Sequence, residues 1–257
     1  MPHAMSTNTK VFVDGYDISG DSSSVEVGAT AVMADDSAFG VTGHTHVKGI
    51  LDDTLTYEGF FDDAWNGSAE VGGVDYIFAQ LRTSTTQNAD IISAYPNLDT
   101  VGQPGWAATI DCSSYTTPVK VAELVTVKAS FGLEGGAMKV KSLGAKATIT
   151  ATTTGTVIDD GASSAKGGTW FIHIFAITAT GGAAKINVTL QDSPDNITFT
   201  EVGTQSYDLT GSTPQQFFYS FTGTLNRYVN LLVTKNCTTM SLSYQAGYHR
   251  GQNGPTN

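Results

Sequence analysis

The chain has 257 residues, with 13 Lys and Arg against 24 Asp and Glu, which gives a net charge of −11. With 40% hydrophobic residues, it can bury a sizeable core in one large or two modest domains, and it is not a disordered acidic tail. The acidic balance argues against a protein whose main role is to bind nucleic acid, because phosphate neutralisation needs a basic surface. No run of 18 apolar residues is present, so we predict no membrane-spanning segment, and residues 1–10 lack the apolar core of a signal peptide.

The pattern is that of β-strands from end to end. Val, Ile, Thr, Phe and Tyr, which favour strands, are enriched in several short segments. Alternation is clear in residues 185–191, where Ile186, Val188 and Leu190 fall on one face, as in a half-buried antiparallel strand. The candidate strands are residues 10–13, 54–57, 74–79, 121–131, 145–154, 169–178, 185–191, 216–222, 228–233 and 241–248.

Turn signals separate these segments, and helix is scarce. The signals are Asp14-Gly15, Gly72-Gly73, Gly135-Gly136, Asp160-Gly161, Gly167-Gly168, Gly181-Gly182 and residues 193–196. Short helices could begin near residues 19–24 or lie within residues 72–82, although Val25, Val27 and Ala29 fit a strand equally well. We therefore predict an all-β fold of two antiparallel β-sandwich or barrel domains with little helix.

A change in charge density near residue 144 suggests a domain boundary. Residues 1–150 carry 18 acidic and 8 basic side chains, whereas residues 151–257 carry 6 and 5. We predict a first β domain at residues 10–144 and a second β-sandwich domain at residues 145–250. Residues 1–9 are expected to be a flexible N-terminus or an expression remnant, and residues 251–257 a flexible C-terminus.

Residues that could carry catalysis do not form a recognisable motif. There is no G-x-S-x-G elbow, phosphate-binding glycine loop, H-E-x-x-H or C-x-x-C. The two cysteines, Cys112 and Cys237, are expected to be free, half-buried thiols. We therefore predict that the protein is not an enzyme and has no cofactor.

Two weaker site hypotheses come from histidine and tryptophan. His44 and His46 could hold zinc together with Asp35 or Asp36, but two histidines without a further spaced ligand fit a polar loop better. His173 is expected to be buried in a strand. Trp65, Trp106 and Trp170 could form a sugar-binding platform, although aromatic residues of a β protein more often pack in the core.

One stretch has a residue pattern that is more specific than its composition alone. Residues 34–63 read ADDSAFGVTGHTHVKGILDDTLTYEGFFDD, in which Gly49-Ile-Leu-Asp52 forms a turn signal, residues 54–58 alternate, and Gly59-Phe-Phe-Asp62 closes the segment. This resembles a segment of the tail tube proteins of tailed bacteriophages. Residues 11–19, 115–127, 190–199 and 223–229 are also similar to segments of such virion proteins, so that the resemblance covers most of residues 10–250.

The resemblance implies a structural virion protein of the phage tail, assembled in the host cytoplasm. Such subunits form rings around a channel, the rings stack, and the genome passes through. The inner sheets of neighbouring subunits join into a continuous barrel, and long loops bridge one ring to the next. The implied partners are other copies of the chain and other tail proteins, with DNA only in passage and no membrane. The large second half leaves hexameric and trimeric rings both open.

An acidic channel would let DNA slide, because a basic wall would hold the phosphates at every subunit. The candidate channel-lining carboxylates are Asp52, Asp53, Glu58, Asp62, Asp63 and Glu70. The candidate inter-ring loop contains Asp35, Asp36, His44, His46 and Lys48.

Two other functions remain open from the sequence. A head decoration or cement protein is also β-rich and acidic, but would sit on a shell without forming a tube. A β-sandwich module that binds carbohydrate on a cell surface is the less favoured alternative.

Overall fold

The computed structural model describes residues 8–35, 46–62, 73–83, 90–181, 185–208 and 215–251, with the backbone alone for residues 32–34 and 46–51. It has an all-β fold of antiparallel strands with one short helix in the described part, as predicted. The elements in chain order are β1 (Lys10–Val13), β2 (Tyr16–Asp17), β3 (Ser22–Asp35), β4 (His46–Phe60), α1 (Val74–Thr83), β5 (Asp90–Tyr95), β6 (Pro104–Thr116), β7 (Thr126–Ile149), β8 (Thr153–Thr154), β9 (Ile158–Asp159), β10 (Gly168–Thr180), β11 (Lys185–Ser193), β12 (Thr200–Asp208), β13 (Gln215–Phe221), β14 (Tyr228–Lys235) and β15 (Thr239–Arg250).

The described strands form two sheets. The larger has ten strands in the order β13-β10-β15-β7-β6-β5-β1-β2, with β4 added to β7 and β3 added to β4. The smaller has five strands, with β12, β11, β14 and β8 in order and β9 also paired with β14. Every strand pair in both sheets is antiparallel.

The large sheet curls until its two ends meet. His173 on β10 contacts the Gly15 amide through Nδ1 at 3.4 Å and Ser93 Oγ on β5 through Nε2 at 3.0 Å. Gln216 on β13 accepts a hydrogen bond from the Ile91 amide at 2.8 Å. The predicted burial of His173 is confirmed, since its side chain is 0% exposed.

Alternate residues of the large sheet enter different cores, because successive side chains of a strand point to opposite faces. On β10, Phe171 and Phe175 enter the core inside the curl, while Trp170 and Ile172 pack against the small sheet. A third core lies beneath α1 on the far side of the large sheet. The molecule is therefore layered as small sheet, curled large sheet and helix.

The segment predicted both as a strand and as a helical turn is a helix. Val74, Ile77, Phe78 and Leu81 are all buried, and this i, i+3, i+4, i+7 spacing places them on one helical face. The strand prediction for residues 74–79 was wrong, because the apolar residues repeat with the spacing of a helix and do not alternate as in a strand. The reverse holds near residues 19–24, where the chain enters β3 and the helical alternative was wrong.

Strand β7 is longer than predicted and runs through two positions where a break was expected. Gly135 and Gly136 have φ of +69° and +79° and form a bulge, across which the pairing with β6 shifts and then resumes. The predicted boundary at residues 144/145 falls inside the same strand, which pairs with β6 on one side and with β15 at its C-terminal end. Strands from both halves of the chain thus share one sheet, and the division into two domains stays a prediction.

Candidate functional site

On the side of β3, β4, β7 and β6 that is opposite to α1 lies a broad sheet face that no described residue covers. Alternation explains it, because Leu55 and Tyr57 of β4 point to the core beneath the helix while Thr54, Thr56 and Glu58 point outward. The register places Glu58 between Ser24 of β3 and Lys128 of β7. We call this surface the polar sheet face; its side chains are Ser24, Glu26, Gly28, Thr30, Asp52, Thr54, Thr56, Glu58, Asp111, Ser114, Thr116, Lys128, Ser130 and Gly132, all exposed or half-buried.

The polar sheet face consists mainly of small residues and is acidic. Most of its side chains are Ser, Thr or Gly, and its charged residues are four carboxylates, Glu26, Asp52, Glu58 and Asp111, against the one amine of Lys128. Lys128 pairs with Glu58, each about half exposed, so the pair contributes little to stability and leaves the other three carboxylates in excess. The face therefore presents a negative surface that has little apolar area with which to bind a partner.

Two of the six predicted channel-lining carboxylates, Asp52 and Glu58, lie on this face. Asp53 lies on the opposite side of β4 and is 8% exposed. Asp62 follows β4 and is half-buried near Asp21, whose pKa is raised by burial and then by the charge of Asp62. The remaining two candidates, Asp63 and Glu70, lie outside the described residues.

Glu26 and Asp111 also lie on the polar sheet face, although neither was among the carboxylates predicted from the sequence. The signal for Glu26 was present, because polar residues alternate with Val25 and Val27 once residues 22–31 are read as a strand. Asp111 lies in β6, a segment that was not predicted as a strand, and its position opposite Gly132 on β7 follows only from the pairing. Both side chains are exposed.

Beyond its pairing with β7, the hairpin of β3 and β4 continues as a two-stranded projection. Strand β4 pairs with β7 only from Thr54 to Phe60, whereas β3 and β4 pair with each other as far as Asp35 and His46. We call residues 29–35 and 46–53 the β3–β4 arm. At about 3.3 Å per residue the arm extends roughly 25 Å past Thr54.

Three residues of the predicted inter-ring loop, Asp35, His46 and Lys48, lie where the described part of this arm ends. Asp35 ends β3 directly opposite His46, and Lys48 is paired with Met33 in the same ladder. Asp36 and His44 lie outside the described residues, so the structure does not describe the proposed histidine pair. Its bridging role stays a prediction.

Asp53 anchors the base of the arm to the bulge of β7. Its Oδ2 accepts the Ala137 amide at 3.4 Å, and a Cβ on Gly136 would approach that oxygen to 2.6 Å. Its Oδ1 has no hydrogen-bond partner in the described part of the structure. A buried carboxylate does not line a channel, so Asp53 is left out of the surface proposed below.

Both edges of the sheet that carries the polar face lack a partner strand among the described residues. Strand β3 pairs only with β4. On the other side, β5 pairs with β6 only as far as Ile110, so residues 111–116 of β6 have a partner, β7, on one edge alone. An edge strand with unpaired amides and carbonyls is a template for another strand.

The remaining candidate sites do not assemble into a centre. No three His, Cys, Asp or Glu side chains of the described residues are placed to hold a metal ion. Cys112 and Cys237 are half-buried and free, and burial raises the pKa of Cys112. Trp106 and Trp170 belong to different cores, so they form no joint platform, and Trp65 lies outside the described residues.

A shallow groove of about 440 Å³ lies beside Trp106. Hydroxyl groups of Ser19, Ser22 and Ser23 line it together with apolar atoms of Val11. Hydroxyl groups and a half-buried indole are compatible with a sugar, but the groove holds no charged side chain that would fix a ligand. Separately, no helix of the described residues is long and apolar enough to cross a membrane.

Comparisons with known proteins find only distant structural likeness. No known family model matches the sequence, and no curated protein sequence is significantly similar to it. A chain of the native gene transfer agent virion aligns over 46% of this chain and 82% of its own, with 11% identity and a TM-score of 0.34. VP2 of the infectious bursal disease virus subviral particle aligns over 96% of this chain and 57% of its own, with 10% identity and a TM-score of 0.29. The CBM22-1–GH10 modules of Clostridium thermocellum xylanase 10B align over 57% and 26%, with 8% identity and a TM-score of 0.26. Likeness at this level assigns no function.

Proposed function

We propose that the protein is a structural virion protein of a phage tail, the subunit of a tube in which the polar sheet face lines the channel. The observation that carries the proposal is that face itself: an antiparallel surface that no described residue covers, with two strand edges that lack a partner among the described strands. A globular protein normally covers or charges such edges, because exposed edges promote uncontrolled pairing. Closing the face into a ring with identical copies removes the edges.

The two edges suggest how a ring would close. The outer edge of β3 in one copy would pair with residues 111–116 of β6 in the next, which extends the sheet from subunit to subunit. A head-to-tail contact of this kind uses two different surfaces and forms a ring when the rotation between copies closes. The order β3-β4-β7-β6 would then repeat around the channel.

The charge of the polar sheet face supports passage of DNA without binding. Duplex DNA carries one negative charge per about 1.7 Å of its axis, so a basic wall would hold it through counterion release. Here each copy offers Glu26, Asp52, Glu58 and Asp111 against Lys128. Such a wall repels the phosphates at every subunit, and the proposal includes no catalytic role.

Electron microscopy of the purified chain is the direct test. We expect rings or tubes with a central hole. Particles that stay single at every concentration and ionic strength would exclude the tube. Binding of the chain to empty phage heads without any ring would instead favour a decoration protein.

A charge reversal tests which face lines the channel. Asp52→Lys should make assembled tubes retain a short DNA duplex at low salt, measured by co-sedimentation, and added salt should release it. The matched control is Glu201→Lys, which reverses an exposed carboxylate on β12 of the small sheet. Equal retention by both variants would show that the polar sheet face is not the lining.

The groove beside Trp106 is the observation that favours a second function, carbohydrate binding. A glycan array would test it, with Trp106→Ala as the variant. A single glycan bound by the wild-type chain and lost in that variant, from a protein that forms no rings, would support this function over the tube.

A further inference from the structure

The two ends of the large sheet meet without sharing a sheet ladder. Among the described strands, β2 pairs with β1 alone and β13 pairs with β10 alone. Side-chain hydrogen bonds join the two ends instead. The Gly15 amide donates to Nδ1 of His173 at 3.4 Å, and the Ile91 amide donates to Oε1 of Gln216 at 2.8 Å. Ends that are joined by side chains can separate without the loss of a backbone ladder.

Two carboxyl groups lie at this junction. Gln216 Nε2 donates to Oδ1 of Asp90 at 3.3 Å, so that Gln216 binds both the backbone and a side chain at the start of β5. Asp14 directly precedes Gly15, and its own amide donates to the Ile91 carbonyl at 3.1 Å. We call this junction the seam; its residues are Asp14, Gly15, Asp90, Ile91, His173 and Gln216.

The two carboxyl groups of the seam favour their protonated forms. Burial, followed by the charge of Asp90, raises the pKa of Asp14 to about 7. Burial, followed by the charge of Asp111, raises the pKa of Asp90 to about 6. Ionisation of both groups places two charges of the same sign in a partly desolvated junction, where they repel each other.

The other titratable groups around the seam do not compensate for this change. His173 on β10 is fully buried, and desolvation lowers its pKa to about 3, so it stays neutral and its Nδ1 continues to accept the Gly15 amide. Burial, followed by the charge of Asp14, raises the pKa of Tyr16 on β2 to about 12, and burial raises the pKa of Cys112 on β6. The further charged or titratable neighbours are Tyr76 and Arg82 of α1 and Asp111 of β6, and the cation among them, Arg82, acts on Cys112. Asp14 and Asp90 are therefore the groups that gain charge between pH 5 and pH 8.

We infer that the seam is a pH-sensitive clasp, which holds the two ends of the large sheet together at acidic pH and releases them near neutral pH. A carboxyl group with a raised pKa favours the closed seam at low pH, and this preference is lost as the pH rises to that pKa. Release opens the core inside the curl to water, where the ring centroids of Phe12 and Phe175 lie 5.4 Å apart. The clasp lies within one copy of the chain and does not depend on the proposed tube.

Amide hydrogen exchange of the full chain, resolved to single amides by mass spectrometry, measures the release. The Gly15 and Ile91 amides bond to side chains across the seam, so their protection reports on its closure. From pH 5 to pH 8, after correction for the intrinsic exchange rate, we expect this protection to fall by about tenfold or more. At pH 8 it should also be about tenfold or more below the protection of the amides of β11, which lies between β12 and β14 in the small sheet.

Two results would overturn the clasp. Equal protection of the seam and β11 at pH 8 would mean that the seam exchanges only when the whole chain unfolds. Protection of the seam that does not change with pH would mean that ionisation leaves it closed.

The double variant D14N/D90N tests whether the two carboxyl groups are responsible. It removes both charges and keeps an oxygen at residue 90 that can accept from Gln216. The protection of the Gly15 and Ile91 amides should then change by less than about threefold between the two pH values. The control Glu201→Gln removes an exposed carboxylate on β12 and should keep the wild-type pH dependence. A wild-type fall in the double variant would show that other groups open the seam.

Gln216→Glu tests the clasp from the opposite end of the sheet and leaves both aspartates in place, so it decides the question even if the double variant does not fold. An ionised glutamate cannot donate to Asp90 and adds a third negative charge. Protection of the Ile91 amide should fall about tenfold further than in the wild type at pH 8, with a smaller change at pH 5. The matched control Gln191→Glu adds the same charge at a half-buried position of β11 and should leave the seam unchanged. A wild-type rate at pH 8 in Gln216→Glu would contradict the clasp.

Discussion

At the scale of single residues, the turn between β1 and β2 contains a carboxyl group, Asp14, whose ionisation is opposed by burial. Asp14 and Gly15 both have positive φ, 48° and 74°, as a two-residue type I′ hairpin turn requires. Burial, followed by the charge of Asp90, raises the pKa of Asp14 to about 7. The folded state therefore holds a proton that the unfolded chain releases above its usual pKa of 3.8.

Asp14→Asn should consequently remove part of the pH dependence of stability. For a carboxyl with a raised pKa, stability falls as pH rises from about 4 to 7 and is then constant. Between pH 5 and pH 8 we expect the free energy of unfolding to fall by about 2 kcal/mol less in the variant than in the wild type. The Asn-Gly pair should keep the turn. Urea unfolding at both pH values measures this. Parallel pH profiles of the two proteins would show that Asp14 is ionised in the folded state.

The contact between Asp53 and the β7 bulge gives a second prediction at this scale. Gly136→Ala adds a Cβ at 2.6 Å from Asp53 Oδ2 at a φ of +79°, whereas Gly102→Ala has a similar φ of +77° and nothing within 4 Å. Both should be destabilising by about 1 kcal/mol through backbone strain, and Gly136→Ala by about 1–2 kcal/mol more. In the Asp53→Ala background that excess should vanish. An equal cost of both substitutions in the wild-type chain would mean that Asp53 moves away freely.

At the scale of elements, β7 and β10 tie the two halves of the chain together. Strand β7 pairs with β6 and with β15, and β10 packs Phe171 and Phe175 against Phe12 and Tyr95 from the first half. These contacts lie at the centre of the curled sheet, where each residue is at most 1% exposed. The second half alone would expose this core and an open strand edge.

Residues 145–250 expressed alone should therefore not form a stable monomer. The fragment lacks most of β7 and leaves the inner face of β10, including His173, without its partners. We expect aggregation, or a spectrum with poor chemical-shift dispersion, in two-dimensional NMR, with the full chain as the control. A cooperative thermal transition and a dispersed spectrum from the fragment would establish an independent second domain with its boundary near residue 144.

At the scale of the whole molecule, the charge of −11 opposes assembly of identical copies. Salt screens this repulsion, with a Debye length of about 10 Å at 0.1 M. Assembly should therefore increase as NaCl rises from 0.02 to 0.3 M (about 22 to 6 Å in Debye length). Light scattering at fixed protein concentration measures the trend. A decrease with salt would point to contacts made by opposite charges.

The class of fold and much of the local pattern were determined by the sequence alone. Strand-forming residues predicted an all-β protein, Asp14-Gly15 predicted its turn, and Ile186, Val188 and Leu190 share a buried face as their alternation indicated. These features depend on backbone preferences and on the two-residue period of a strand, which are local. They hold whatever the chain packs against.

Tertiary structure decided what covers each of the faces that alternation separates. Asp52 and Asp53 are neighbours with the same side chain, and the period of a strand places Asp53 on the face of Leu55 and Tyr57 without showing what packs there. The packing of α1 covers the side of Leu55 and Tyr57 and the bulge of β7 covers Asp53, so Asp52 is left on the polar sheet face. The exposure of Val121, in a segment predicted as strand, depends equally on the long-range pairing of β6 with β7. Alternation separates an apolar face from a polar one, but contacts between residues distant in sequence decide what packs over each face.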